Sequence, residues 1–446
     1  MTETTEPPPA GPAPGSEARD ILDLSVAEMT YGASALARTP EGQVAFVDDA
    51  LPGERVRARI TTRRRKYLQT RVVEVLEPSP SRVVPPCPYV PECGGCQWQH
   101  AAYEAQLAMK QQVLADTMRR AGASAPLADV VPAPDPFRYR IRGEFHVIKP
   151  GAGRGSHGLG FNRRRTYDVV PVDDCLIHHP YVTEALPGIV RALDTAGSAE
   201  LRSIRMTAHP ARRELLWQGL GGQAPRGLQE ALMSELPEYL VHQDSISLEY
   251  DGAAIDGRAG DPLVFRVDSD TFVQVNHAQA HNLYGRALQY LGDDPGSLVE
   301  GYAGFGAMSI LAATRLDPAR RPRRVTMIEE GRPAAILARL HCRLHGLEDA
   351  IVLAGRVEEK LSQLEPDEVD SLIVDPPRAG CAPQVLAEVA RLRPNRMIYV
   401  SCDPATLGRD VARLAEQGYR VEAQSLVDMF PQTYHVETVS LLVPTP

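Results

Sequence analysis

The chain has 446 residues, 43% of them hydrophobic, so two or three domains with sizeable cores are expected rather than one. No apolar run reaches the length that spans a bilayer, which argues against a membrane protein. A net charge of −9 argues against a chain that is basic throughout, and seven cysteines argue against a full disulfide framework, leaving metal binding or catalysis as their better uses.

Residues 1–17 are rich in Pro, Glu, Thr and Gly and have neither a basic start nor an apolar segment. They are read as a disordered tail rather than a secretory signal, and a cytoplasmic protein is expected. Residues 18–79 alternate short apolar runs with turn signals: Val44-Ala45-Phe46-Val47, a Pro52-Gly53 turn, then Val56 to Ile60 with arginines on alternate positions. That period of two predicts strands with one basic outer face, as in a small barrel of oligonucleotide-binding type. Basic clusters at Arg55–Arg71, at Arg138, Arg140 and Arg142, and at Arg163 to Arg165 suggest local footprints for phosphates.

Pro-rich sequence then leads to Cys87-x5-Cys93-x2-Cys96, and Cys175 is the natural fourth ligand. Four thiolates fit tetrahedral zinc and a [4Fe–4S] cluster equally well. Ala101 to Ala121 follows as an amphipathic helix with Leu107, Leu114 and Met118 at helical spacing. Residues from 131 to 262 mix short strands and loops, an α+β texture.

From Asn276 onward strands and helices alternate, which predicts a Rossmann-like α/β domain with a parallel sheet and ligands at the strands' carboxyl ends. Leu298-Val299 runs into a Gly-rich turn holding Tyr302, Gly304 and Gly306; the next strand closes on Glu329, whose carboxylate can accept from both hydroxyls of a ribose. An adenosine-containing cofactor fits, whereas the absence of GxGxxG and GxxxxGK[ST] disfavours dinucleotides and nucleoside triphosphates. Ser371–Val374 runs into Asp375-Pro376-Pro377-Arg378, whose paired prolines fix the backbone that presents Asp375. Met397–Val400 runs into Ser401-Cys402-Asp403-Pro404, and the helix expected from Pro404 should lower the Cys402 thiol pKa. A thiolate that adds to carbon 6 of uracil makes carbon 5 enolate-like; a base must then take the carbon-5 proton, and Glu437 is the candidate.

Together these residues resemble the bacterial uracil-5 RNA methyltransferases, most closely the iron–sulfur branch that modifies 23S ribosomal RNA. SCDPATLGRD and FPQTYHVET carry the likeness most specifically, with DPPRAG and the cysteine quartet behind them. The resemblance implies Cys402 as nucleophile, Glu437 as base, and Gln274 (in Phe272-Val273-Gln274-Val275-Asn276) and Asp375 as cofactor contacts. Beside these two stand the loop residues Tyr302, Gly304, Gly306 and Glu329. It also implies S-adenosylmethionine as cofactor, [4Fe–4S] on Cys87, Cys93, Cys96 and Cys175, and RNA as partner with no membrane or obligate protein partner. In domain terms it implies a TRAM barrel over 18–79, a central iron–sulfur domain over 80–97 and 126–262, and a methyltransferase domain over 98–125 and 263–446. The cofactor loop departs from the family pattern: Glu300-Gly301-Tyr302-Ala303-Gly304 replaces the usual Asp-Leu-Tyr-Cys-Gly, His341 or Cys342 stands for a helix Asn, and Arg356 for an adenine-contacting Asp or Asn. Two rivals follow: an RNA-binding or redox-sensing cluster protein with a degenerate transferase site, and a transfer-RNA uridine-5 methyltransferase.

Overall fold

Five short strands with small inward side chains close a barrel near the amino terminus. In this computed structural model, which describes residues 20–151, 155–198, 200–250 and 261–446, they are β1 (Ile21–Met29), β2 (Ala35–Arg38), β3 (Val44–Asp48), β4 (Arg55–Arg63) and β5 (Tyr67–Glu77), ordered β1-β2-β3-β5-β4. The tail expected over residues 1–17 lies outside the described residues. Along β4, Val56 and Ala58 are fully buried while Arg55 and Arg59 face out, the alternation the sequence predicts. The outer face is less basic than its arginines suggest: Arg57 pairs with Asp23 at 3.0 Å and Glu74 at 2.7 Å, Arg63 with Asp20 at 3.0 Å, and Arg55 with Glu77 at 3.3 Å. Arg64, Arg65 and Lys66 stand exposed at the tip between β4 and β5. Contacts divide the chain into two compact units, one ending at Val84 and taking in His100–Ala102, the other made of Pro85–Gln99 and Tyr103–Pro446.

The second unit holds three sheets. After β6 (Asp129–Val131), a six-stranded sheet is built from β7 (Arg142–Ile148), β8 (Gly158–Asn162), β9 (Val169–Pro171), β10 (Ser203–Ala208), β11 (Glu214–Leu220) and β12 (Leu240–His242), ordered β12-β11-β10-β7-β8-β9. A hairpin of β13 (Ser245–Tyr250) and β14 (Leu263–Asp268) leads on to the third sheet. There β15 (Ser297–Gly301), β16 (Arg324–Glu329), β17 (Ile351–Ala354), β18 (Ser371–Val374), β19 (Arg396–Ser401), β20 (Tyr419–Val427) and β21 (Glu437–Pro444) lie in the order β17-β16-β15-β18-β19-β21-β20, with β6 added at the edge. Strands β15 to β19 are parallel and β21 runs antiparallel between β19 and β20. All four residues of β18 are buried because helices cover both faces of the sheet: one core gathers Leu298, Ile310, Met327 and Ile373, the other Leu372, Val385, Leu407 and Val411.

The basic triplet Arg138, Arg140 and Arg142 is not an exposed footprint. Arg138 grips Asp174 with two bonds of 2.6 and 2.7 Å, and Arg142 donates to the Thr207 hydroxyl at 2.7 Å and the Thr271 carbonyl at 2.6 Å. These guanidiniums brace loops, a role that burial and nearby acceptors impose and charge counting cannot show. No helix among the described residues is long and apolar enough to cross a membrane.

The helix Tyr103–Arg120 packs on the helix Pro404–Glu416, so closely at Gly408 that a Cβ there would stand 2.8 Å from the Ala121 methyl. Its inner face carries Lys110, fully buried, which donates to Asp428 at 2.6 Å and to the Phe430 carbonyl at 2.9 Å. Tyr103 donates to the other Asp428 oxygen at 2.8 Å. Burial pushes the Lys110 pKa down and Asp428 opposes it. Lys110→Met strands a buried carboxylate and is expected to cost about 3–5 kcal/mol in denaturant unfolding. The double change Lys110→Met, Asp428→Leu should recover much of that loss; equal losses in both variants would show that the charge pair is not what the site needs.

Candidate active site

Strand order reverses between β15 and β18, and the crevice at such a switch point is where open α/β sheets take ligands. A cavity of about 620 Å³ opens there, large enough for a cofactor-sized ligand. Tyr302 and Gly304 reach it from the loop after β15, Glu329 from the end of β16, Asp375 from the end of β18 and Cys402 from the end of β19. Glu437 arrives from the opposite direction. It begins the antiparallel β21, and since Ser401 pairs with Thr438 across β19 and β21, the next step in register sets Cys402 beside Glu437. Gln274 completes the group from the segment before the helix His277–Tyr290, which Asn276 caps through its side chain.

The cofactor loop is held in an unusual shape. Tyr302 is a non-glycine residue in the left-handed region at φ +62°, followed by Gly304 at φ +55° with open space where a Cβ would be. Glu329 orients this loop, accepting from the Gly304 amide at 2.8 Å and the Gly331 amide at 2.6 Å.

Electrostatics depart from the sequence expectation. Burial, followed by the charges of Glu437 and Asp375, pushes the Cys402 thiol up to about 11, against the pull of Arg378. Asp403, which caps the helix Pro404–Glu416 and accepts from the Ala405 and Thr406 amides at 3.0 and 2.9 Å, adds to the rise. The cap's own carboxylate offsets the helix end. Burial also raises the Asp375 and Glu437 carboxyls, and Glu437 is raised further by Asp375. A thiol pKa near 11 means that the reactive form grows with rising pH. Alkylation of Cys402 by iodoacetamide, followed on its own peptide by mass spectrometry, should therefore quicken about tenfold per pH unit between pH 7.5 and 9.5. A plateau below pH 8 would mean the thiol is already ionised.

Of the residues singled out by sequence, Gln274, Tyr302, Gly304, Glu329, Asp375, Cys402 and Glu437 line this one cavity, and Gly306 does not. Gly306 (φ +87°) caps the helix Ala307–Arg315, and a Cβ on it would meet the Met327 sulfur at 2.8 Å, so it serves close packing. His341 is buried with one ring nitrogen 3.0 Å from the Phe305 carbonyl, and Arg356 pairs with Glu358; neither lines the cavity. Sequence reasoning missed Phe272, Phe430 and His435 as lining residues and gave Arg378 no role. Phe272 and His435 had a signal: each lies two residues before a residue already chosen, a spacing that puts side chains of an extended segment on one face.

Cys87, Cys93, Cys96 and Cys175 line a second cavity, of about 270 Å³. Burial, with mutual repulsion from the other cysteines, raises Cys96 to about 12 and Cys175 to about 11. Among the described residues no group of three or more His, Cys, Asp or Glu side chains is placed to hold a metal ion. Arg140 and His178 line the same cavity with the Arg140 Nε and both His178 ring nitrogens buried and without a hydrogen-bond partner among the described residues.

With β15 to β21 counted as one to seven, the sheet order is 3-2-1-4-5-7-6 around a switch-point cavity, the architecture of a class I methyltransferase domain, preceded by a five-stranded barrel. The tRNA (Uracil-5-)-methyltransferase family profile matches residues 254–444 and the TRAM domain profile residues 16–73. Uncharacterized RNA methyltransferases of Streptomyces avermitilis and Streptomyces coelicolor are each 32% identical, covering 95% and 97% of this chain and 98% and 94% of their own. The chain therefore belongs to the uracil-5 RNA methyltransferase family and is an RNA methyltransferase with an amino-terminal TRAM domain. The crystal structure of Pyrococcus abyssi tRNA (uracil-54, C5)-methyltransferase with S-adenosyl-L-homocysteine shares the fold at TM-score 0.69 and 23% identity, over 94% of this chain and 99% of that one.

Proposed function

We propose that this protein methylates carbon 5 of a uridine in RNA, with 23S ribosomal RNA the favoured substrate, through a covalent bond between Cys402 and carbon 6. The observation that carries this reading is the meeting of a thiol, two buried carboxylates and the Tyr302–Gly304 loop in one cavity. Gln274, Tyr302, Gly304, Glu329 and Asp375 would hold S-adenosylmethionine, which supplies an electrophilic methyl group on a sulfonium. As a thiolate, Cys402 adds to carbon 6, the C5=C6 π pair moves to carbon 5, and carbon 5 takes the methyl as the methyl's bond to the donor sulfur breaks, the pair staying on that sulfur. Glu437 then removes the carbon-5 proton, the double bond re-forms, and the sulfur–carbon bond breaks with its pair returning to Cys402. Held by Asp375, a sulfonium donor would favour the ionised forms of the cavity's carboxyls, Glu437 among them. Mass analysis of digested product RNA tests the reading: 5-methyluridine supports it, and a methyl on an exocyclic amine or a ribose overturns it.

The rival reading, a decayed transferase, rests on the altered cofactor loop. Against it stands an open cavity with every proposed catalytic side chain at its wall. Calorimetric titration with S-adenosylmethionine decides between them, since no measurable binding favours the rival. Methylation mapping of total RNA from cells with and without the protein separates ribosomal from transfer RNA.

For the cysteine cavity we propose a [4Fe–4S] cluster on Cys87, Cys93, Cys96 and Cys175. What supports the reading is the convergence of four thiols on one cavity, with the Arg140 guanidinium at its wall as a donor to anionic sulfides. Anaerobically purified protein is expected to be brown and to bleach on iron chelation, whereas colourless protein holding zinc contradicts the assignment. Methyl transfer needs no electron flow, so the cluster is assigned to structure or RNA positioning.

A further inference from the structure

Between β20 and β21 lies the segment 428–436, which ends where Glu437 begins. Its Phe430 and His435 line the active-site cavity. At its middle Gln432 is buried and held at φ +69°, a left-handed conformation that a non-glycine residue keeps only when its surroundings enforce it.

The surroundings come from two places. The Gln432 carbonyl accepts from the amides of Gln97 and Trp98 at 3.1 and 3.0 Å, the two residues directly after Cys96. Its side chain and backbone form a reciprocal pair with Gln106 on the helix Tyr103–Arg120: the Gln106 amide donates to Gln432 Oε1 at 3.0 Å, and the Gln432 backbone N–H donates to Gln106 Oε1 at 2.9 Å. The Gln106 amide also donates to the Trp98 carbonyl at 3.2 Å, closing the triangle. One residue earlier, the Pro431 carbonyl accepts at 2.9 Å from Tyr139, which packs with Cys96 and Cys175 in a small core. The side-chain bonds among them are buried, where loss of one partner leaves the other unsatisfied. The segment that delivers Glu437 is thus fastened to the cysteine loop at a single residue.

We propose that Gln432 is a positioning residue: it fixes the segment 428–436 against the loop following Cys96 and against Gln106, and so sets the placement of Glu437. This rests on Glu437 being the base that releases the covalent adduct. A shift of the base by a fraction of its hydrogen-bond reach slows proton removal without weakening substrate binding, so the signature is a slowed release step.

The test compares the wild type, Gln432→Ala and Gln106→Leu in the full-length holoenzyme with S-adenosylmethionine and substrate RNA. Both variants are expected to lose kcat by roughly ten- to a hundredfold. KM for RNA and for S-adenosylmethionine should stay within about twofold, covalent protein–RNA should build up at steady state, and amide exchange over residues 428–437 should quicken. Gln106→Leu breaks the same pair from the helix side, so it reads the coupling even where Gln432→Ala folds poorly. Wild-type release, or a rise in KM with kcat unchanged, would overturn the proposal. Glu437→Gln is the control: if it builds up adduct while the two glutamine variants do not, only the role of Gln432 fails. If it builds up none, the assignment of the base fails.

Discussion

Cys402→Ala should abolish methyl transfer, lowering kcat about 10⁴-fold or more, with S-adenosylmethionine affinity nearly unchanged. The reason is chemical rather than structural. Carbon 5 of a uracil carries too little electron density to attack a sulfonium methyl, and only addition at carbon 6 supplies it. The half-exposed Cys402 side chain lies at the end of β19, and its removal leaves the sheet register of Ser401 with Thr438 intact. Loss of activity without loss of cooperative unfolding or cofactor binding is the expected result. Residual activity within tenfold of wild type would remove the covalent route.

Glu437→Gln should have the opposite effect on the adduct. Addition and methylation proceed, proton removal does not, and turnover falls by roughly 10²- to 10⁴-fold while protein and RNA remain joined. The glutamine is close in size and carries no charge into a buried site that already raises the carboxyl of Glu437. That rise gives a pH sign as well. A raised carboxyl pKa means the working carboxylate is lost as pH falls, so wild-type kcat should decline toward acid pH, in the same direction as the loss of the Cys402 thiolate. Electrophoresis under denaturing conditions reads the adduct; free protein only, in the variant, would contradict the assignment.

Much of this site was legible in the sequence because strand ends announce themselves. Buried runs such as Leu372–Val374 and Met397–Val400 are continuous and apolar, and the polar residues that follow them emerge at the sheet's carboxyl edge. Glu437 was harder: it could be named as a candidate base, but its place depends on β21 running antiparallel, which no local pattern reveals. The thiol's environment was misjudged for a related reason. A helix start was visible at Pro404, but not that Asp403 would cap it or that Asp375 and Glu437 would converge on the same sulfur from distant strands. Gly306 looked like part of a ligand loop because a glycine for packing and a glycine for ligand approach have the same letter. The basic triplet around Arg140 misled in the same way: charge is visible in sequence, and the Asp174 and Thr271 acceptors that bind two of its arginines are not. Gln432 stood within the FPQTYHVET run, but its bonds to Gln106, 326 residues away along the chain, could not be read there.

The most direct test is to digest the adduct trapped by Glu437→Gln and sequence the cross-linked peptide and nucleotide by mass spectrometry. A uridine already methylated on the ring and joined to the sulfur of Cys402 is the expected species. Attachment at any other cysteine, or no adduct from an active enzyme that still yields 5-methyluridine, would contradict the account.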